Sequence, residues 1–285
     1  MAKQEEVQYI DLNNQTKIAY IDCGENKKET LIFIHGLANY LWVWKWNIAS
    51  LQEKYRCIAI DLPGNGFSSR GDYPYSIEYF TDTVHQFIDA LNLKQVSLVG
   101  HSMGGQIALQ FALKYGSTIN KLILSAPAGF EYYSPHDATL FKAAISFGNF
   151  LAMDETHISQ SINSSFYRHE KIASEIISDL NSIIQSNDRI LYRKMLELCI
   201  DSMLDKQVFK HLKEINNKTL VFFGENDQLI PNRFLHPVTT KEIAEKGAKQ
   251  MKHAEVMTFK NTGHFVHIEQ AELVNSKIVQ FMGAE

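Results

Sequence analysis

Three short, unbroken apolar runs, Leu31–Ile34, Cys57–Ile60 and Val96–Val99, alternate with helical patterns in the first third of the chain. A strand with no polar alternation needs cover on both faces, which points to a mostly parallel sheet built from strand–helix–strand units. Between the runs, Ser76 is placed to cap a helix whose Phe80, Val84, Phe87 and Leu91 recur at spacings of 4, 3 and 4, on one face. A second amphipathic stripe, Ile107, Ala108, Phe111 and Ala112, follows Gly104-Gly105. Ahead of these, Val7–Leu12 and Lys17–Asp22 alternate like a half-exposed hairpin with its turn at Asn13-Asn14. Leu122–Leu124 resumes the strand pattern before Pro127 and Gly129 break it.

From Phe130 to Asn217 only helical periodicity remains, as in Ile172, Ile176, Ile177 and Leu180, or Leu191, Met195, Leu196 and Ile200. The stretch is too apolar and too poor in Gly and Pro for a linker, so it reads as an all-helical insertion. Strand patterns return at Leu220–Phe223 and Val256–Phe259, and a closing helix is expected over Val266–Met282. Residues 1–129 and 218–285 are thus expected to form an α/β core around an inserted segment, 130–217.

With 285 residues, 45% hydrophobic and 21% charged, the chain holds enough apolar material for a core, which excludes global disorder. Its 28 basic and 32 acidic residues leave a net charge of −4, so there is no electrostatic case for nucleic acid or an anionic membrane as partner. The opening residues MAKQEEVQYI contain no apolar signal-peptide core, and Cys23, Cys57 and Cys199 lie far apart with no CxxC, so a cytoplasmic location is expected. His169-Glu170 lacks the second histidine of a zinc helix, and neither a metal nor a cofactor is expected.

The segment Val96-Ser-Leu-Val-Gly100-His-Ser102-Met-Gly104-Gly105 reads as strand, tight turn and helix around G-x-S-x-G. Glycines flank a serine in such a turn because its strained backbone brings neighbouring residues too close for a Cβ. Ser102 would then stand near a helix N-terminus, whose unpaired N–H groups favour a developing anion. A phosphate loop is excluded by Gln106 where lysine is required, and a dinucleotide fingerprint at Gly64-Asn-Gly66 by Ser69 where a third glycine belongs.

A serine hydroxyl is a weak nucleophile without a base, and the base needs an orienting acid. His264, in Asn261-Thr-Gly263-His264, is the expected base. His267, one helical turn on, is read as a helix-surface or supporting histidine, and His253 as solvated. The acid should fall between serine and histidine in chain order. Asp227 is preferred there, and Glu225 is read as a turn or cap residue. The backbone N–H groups of Leu37, after the strand end Ile34-His35-Gly36, and of Met103 are the expected oxyanion donors, with His35 holding the loop by a side-chain hydrogen bond.

Five segments in order, His35-Gly36, Asp61-Leu-Pro-Gly64-Asn-Gly66-Phe-Ser68, Gly100-His-Ser-Met-Gly104-Gly105, Gly224-x-x-Asp227 and Gly263-His264, resemble the α/β-hydrolase fold superfamily over nearly the whole chain. The resemblance implies an eight-stranded, mostly parallel sheet flanked by helices, with a helical cap after the sixth strand. Ser102 departs from the aspartate of haloalkane dehalogenases and epoxide hydrolases. His35-Gly36-Leu37-Ala38-Asn39 departs from the His-Gly-Gly-Pro-Gly loop of proline iminopeptidases, and His101 from the asparagine usual in carbon–carbon bond hydrolases of ring degradation.

The expected reaction is carboxylic ester hydrolysis through an acyl-enzyme on a small hydrophobic acyl substrate, by a monomer or homodimer. Trp42, Phe130 and Phe147 are candidate pocket residues. A carbon–carbon bond hydrolase, an acyltransferase and a ligand-binding receptor on the same fold are the alternatives.

Overall fold

A computed structural model describes residues 6–12, 16–147, 155–168, 170–185 and 189–283. β1 (Gln8–Asp11) and β2 (Lys17–Cys23) pair antiparallel with Gln8 opposite Tyr20; the expected turn at Asn13-Asn14 lies outside the described residues. Then follow β3 (Thr30–Ile34), β4 (Arg56–Ile60), β5 (Val96–His101), β6 (Ile119–Ser125), β7 (Lys218–Gly224) and β8 (Ala254–Phe259). They form one eight-stranded sheet in the order β1-β2-β4-β3-β5-β6-β7-β8. β2 runs antiparallel to β4, and every later pair is parallel. β3 and β5 are buried at every residue, which is why their sequences show no alternation.

The helices are α1 (Lys45–Leu51), α2 (Ile77–Ala90), α3 (Met103–Tyr115), α4 (Pro135–Phe147), α5 (Glu155–Ser165), α6 (Glu170–Gln185), α7 (Arg189–Asp205), α8 (Thr240–Ala248), α9 (Val266–Glu269) and α10 (Ala271–Gly283). In α2, Ser76 Oγ accepts the Tyr79 N–H at 3.1 Å, closing the helix start. Its Phe80, Val84 and Phe87 are fully buried, and burying each such side chain contributes about 1.5–3 kcal/mol. The closing helix expected as one piece is broken. α9 ends at Glu269, and Gln270 after it, with φ of −121° and ψ of 35°, leaves the helical region before α10 begins.

Helices α4 to α7 all lie between β6 and β7. Two side-chain amides fasten the ends of this insertion. Gln106 Nε2, one turn into α3, donates to the Met203 and Lys206 carbonyls, each at 3.1 Å. Gln207 receives the Tyr133 N–H at 2.7 Å and donates to the Tyr133 carbonyl at 2.8 Å, tying the outgoing and returning chains together.

The strand order locates the site. After β3 the chain moves to β4 on one side, then crosses back to β5 on the other. Loops leaving β3 and β5 therefore diverge, opening a crevice at the carboxyl ends of the strands where open α/β sheets bind ligands.

Candidate active site

Ser102 sits at the end of β5 in that crevice, with φ of 52° and ψ of −118°. A non-glycine residue holds such a conformation only where its surroundings enforce it. Here the Ser102 N–H donates to the Ser125 carbonyl at 3.0 Å, and its own carbonyl accepts the N–H groups of Gly105 at 2.9 Å and Ala128 at 3.0 Å. The flanking glycines are required sterically. A Cβ on Gly100 would overlap the Gly104 carbonyl, one on Gly104 the carbonyls of Ile34 and His35, and one on Gly105 would lie 2.6 Å from Pro127 Cβ. Met103 opens α3, so its N–H is among those a helix leaves without an intrahelical acceptor. The loop after β3 also packs against the serine, since a Cβ on Gly36 would lie 3.0 Å from Ser102 Cβ.

That loop is held by two buried side chains. His35 Nε2 accepts the Leu62 N–H at 3.0 Å, so Nδ1 carries the proton and donates to the Gly36 carbonyl at 2.7 Å. Burial pushes the imidazole down to about 4, which keeps this tautomer neutral. Asp61 Oδ1 accepts the Leu41 N–H at 2.6 Å and Oδ2 the Phe67 N–H at 2.8 Å. Its burial raises the carboxyl to about 7, against the pull of those two amides and of Arg70.

Asp227 and His264 come from the turns after β7 and β8 and form a buried pair, His264 Nδ1 to Asp227 Oδ2 at 2.7 Å. The second carboxylate oxygen accepts the N–H groups of Leu229 at 2.7 Å and Ile230 at 3.0 Å, fixing the rotamer. With Nδ1–H committed to the carboxylate, Nε2 is the basic nitrogen of the ring. Backbone contacts steady the same residue: His264 N–H donates to the Ser165 carbonyl at 2.7 Å, and His101 Nε2 to the His264 carbonyl at 3.2 Å. Burial holds His101 and His267 well below the ordinary imidazole range.

His267 is fully buried rather than on a helix surface; its Nδ1 meets Ser125 Oγ at 3.0 Å and its ring lies 4.1 Å from that of Trp44. Glu225 Oε1 accepts a hydrogen bond from Thr258 Oγ1 at 2.8 Å, and His253 is exposed.

Ser102, His264 and Leu37 border one cavity of about 340 Å³, to which residues of α4 to α7 also contribute. Its walls are mainly apolar, with Ile158 and Ile162 from α5, Leu180 and Ile184 from α6, and Leu196 and Ile200 from α7. Each pair is spaced by four, a signal present in the sequence but one that a packed core produces equally well.

Two of the three expected pocket residues lie elsewhere. Phe130 is wholly buried in the core, 5.9 Å from the Phe223 ring and beneath Gly247, where any Cβ would collide with it. Trp42 is half-buried in a separate groove beside Tyr40, Phe67 and Arg70. Phe147 ends α4, and its side chain lies outside the described residues. Tyr133 and Phe141 are the aromatic residues of the early insertion that border the cavity.

Among the described residues no group of three or more His, Cys, Asp or Glu is placed to hold a metal ion. No helix among them is long and apolar enough to cross a membrane.

Known proteins match along almost the whole chain. An uncharacterized hydrolase, YugF of Bacillus subtilis, is 26% identical over 90% of each chain. The proline iminopeptidase PfmaB of Pestalotiopsis fici is 29% identical over 95% of this chain and 98% of its own, although the loop at Leu37 lacks the Gly-Pro-Gly sequence noted above. The esterase EaEST of Exiguobacterium antarcticum superposes with a TM-score of 0.81 at 21% identity, covering 98% of this chain and 100% of its own. The model of the alpha/beta hydrolase fold matches residues 29–271, and with the sheet order and strained strand-to-helix turn described above, this chain belongs to the alpha/beta hydrolase family.

Proposed function

We propose that the protein hydrolyses carboxylic esters of small, hydrophobic, uncharged substrates through an acyl-enzyme on Ser102. The observation that carries this reading is His264, held by buried Asp227, bordering the same cavity as a serine at positive φ. Family membership supports hydrolysis as the reaction class.

In this mechanism His264 Nε2 takes the Ser102 proton as Oγ attacks the substrate carbonyl. The N–H groups of Leu37 and Met103 receive the oxyanion, and His264 returns the proton to the leaving alcohol. A water molecule deprotonated by His264 then releases the acid and restores the serine. Asp227 keeps Nδ1 protonated and stabilises the imidazolium at each proton transfer. Residues 130–217 act as the cap that shields these steps from bulk water.

Cavity chemistry favours an ester over the charged products of aromatic ring cleavage. Among the described residues that border it there is no lysine or arginine, and the one carboxylate side chain among them is Glu131. A substrate carrying a carboxylate would meet no lysine or arginine among them. A volume of about 340 Å³ suits a small molecule, since such sites span roughly 300–1,000 Å³.

The test is turnover of p-nitrophenyl esters of increasing acyl length by wild type and Ser102→Ala. Wild type should prefer apolar chains, and the variant should lose on the order of 10⁶ in kcat, as triads lacking their serine do. A Ser102→Ala variant retaining most of the activity overturns the proposal.

A further inference from the structure

The loop that carries His264 is fastened to the inserted helices through one buried carboxylate. Glu269 Oε1 accepts the Gly263 N–H at 2.7 Å, and Oε2 accepts the Tyr167 N–H at 3.0 Å. Gly263 immediately precedes His264, while Tyr167 belongs to the connector between α5 and α6. The His264 N–H closes the ring by donating to the carbonyl of Ser165, the last residue of α5, and the Phe166 and Phe265 rings stack at 4.7 Å across the same junction. The packing leaves no room for slippage, because a Cβ on Gly263 would lie 2.5 Å from the Ser165 carbonyl oxygen and 2.9 Å from Tyr167 N. Burial lifts the Glu269 carboxyl above its ordinary range, and the amides of Tyr167, Gly263 and Arg168 draw it back.

We infer that Glu269 is a positioning residue that holds the His264 imidazole in register with the α5–α6 connector. This role rests on the reading of His264 as the catalytic base. Asp227 fixes the ring through Nδ1, while the Glu269 ring of hydrogen bonds fixes the backbone on which the imidazole pivots. Ser165 and Phe265 border the cavity, as do Ile158 and Ile162 of the helix that leads into the connector. A substrate that packs against α5 therefore bears on the segment that locates the base. Substrate fit and base placement are coupled through Glu269, so its loss acts on turnover more than on binding.

The experiment compares Glu269→Gln, Glu269→Ala and Ser102→Ala with wild type, using a p-nitrophenyl ester for kcat and KM. The downfield proton resonance of His264 Nδ1–H, identified by its loss in Asp227→Asn, is recorded in parallel. Phe130→Ala, a core change away from the cavity, serves as the control for lost stability alone. Displacing a reacting group by about 1 Å can cost about 100-fold in rate, so Glu269→Ala should approach that loss in kcat. Its KM should change little and the Nδ1–H resonance should move, and Glu269→Gln, which keeps the shape and one acceptor, should fall between. Phe130→Ala should leave both kcat and the resonance as in wild type below its unfolding temperature.

If Glu269→Gln is folded with wild-type kcat and an unmoved resonance, the inference is overturned while the reading of Ser102 stands. An active Ser102→Ala overturns that reading instead, and the resonance alone then decides whether Glu269 positions His264. If Glu269→Ala does not fold, the Glu269→Gln result decides.

Discussion

Acidification should break the loop behind Leu37 through a single imidazole. His35 must be neutral to accept the Leu62 N–H, and its burial lowers it from 6.5 to about 4. The unfolded chain binds this proton near pH 6.5 and the folded chain only near pH 4. Stability contributed by the neutral ring is therefore complete above the upper value and lost as pH falls through the window. A window about 2.5 pH units wide at about 1.4 kcal/mol per unit corresponds to about 3 kcal/mol.

Asp61 works in the opposite sense. Its folded-state carboxyl is raised to about 7, so the folded chain keeps a proton that the unfolded chain releases near 4, and stability falls as pH rises between those values. Both effects occur in wild type, whereas His35→Gln removes only the first. Urea unfolding of the two proteins at intervals from pH 7 to pH 4 isolates it. The stability advantage of wild type should shrink by about 3 kcal/mol across that range. A difference that stays constant with pH would refute the neutral, buried assignment of His35.

Asp227→Asn should leave a folded protein with the wrong imidazole tautomer, and kcat on p-nitrophenyl esters should fall by about 10⁴-fold, as in triads losing this acid. Phe130→Ala should cost about 3–5 kcal/mol in urea unfolding while KM is unchanged, because the ring packs on Phe223 rather than in the cavity. A raised KM with little loss of stability would return Phe130 to the pocket.

Local chemistry made much of this legible in the sequence. Ser76 and the Phe80, Val84, Phe87 stripe mark α2 because capping and periodicity act over a few residues. Gly100 and Gly104 mark the turn at Ser102 because no other side chain fits against the carbonyls there. The Asp227–His264 pairing followed from chain order and the position of each after a strand. What escaped depends on packing between distant segments. Ile158 and Ile162 face the cavity while Phe130 faces the core, yet all three are simply apolar residues in sequence. The break at Gln270 accompanies the pull of Glu269 toward Gly263 and Tyr167, partners that are 6 and 102 residues away. His267 reads as a helix-surface or supporting histidine, and only the fold shows it buried and enclosed by Ser125 and Trp44.

Mass spectrometry after exposure to a fluorophosphonate tests the nucleophile itself. A single adduct should map to the peptide containing Ser102, and its rate of formation should collapse in His264→Ala. An adduct on another residue, or labelling of Ser102 that proceeds equally well without His264, would contradict the proposed pairing of nucleophile and base.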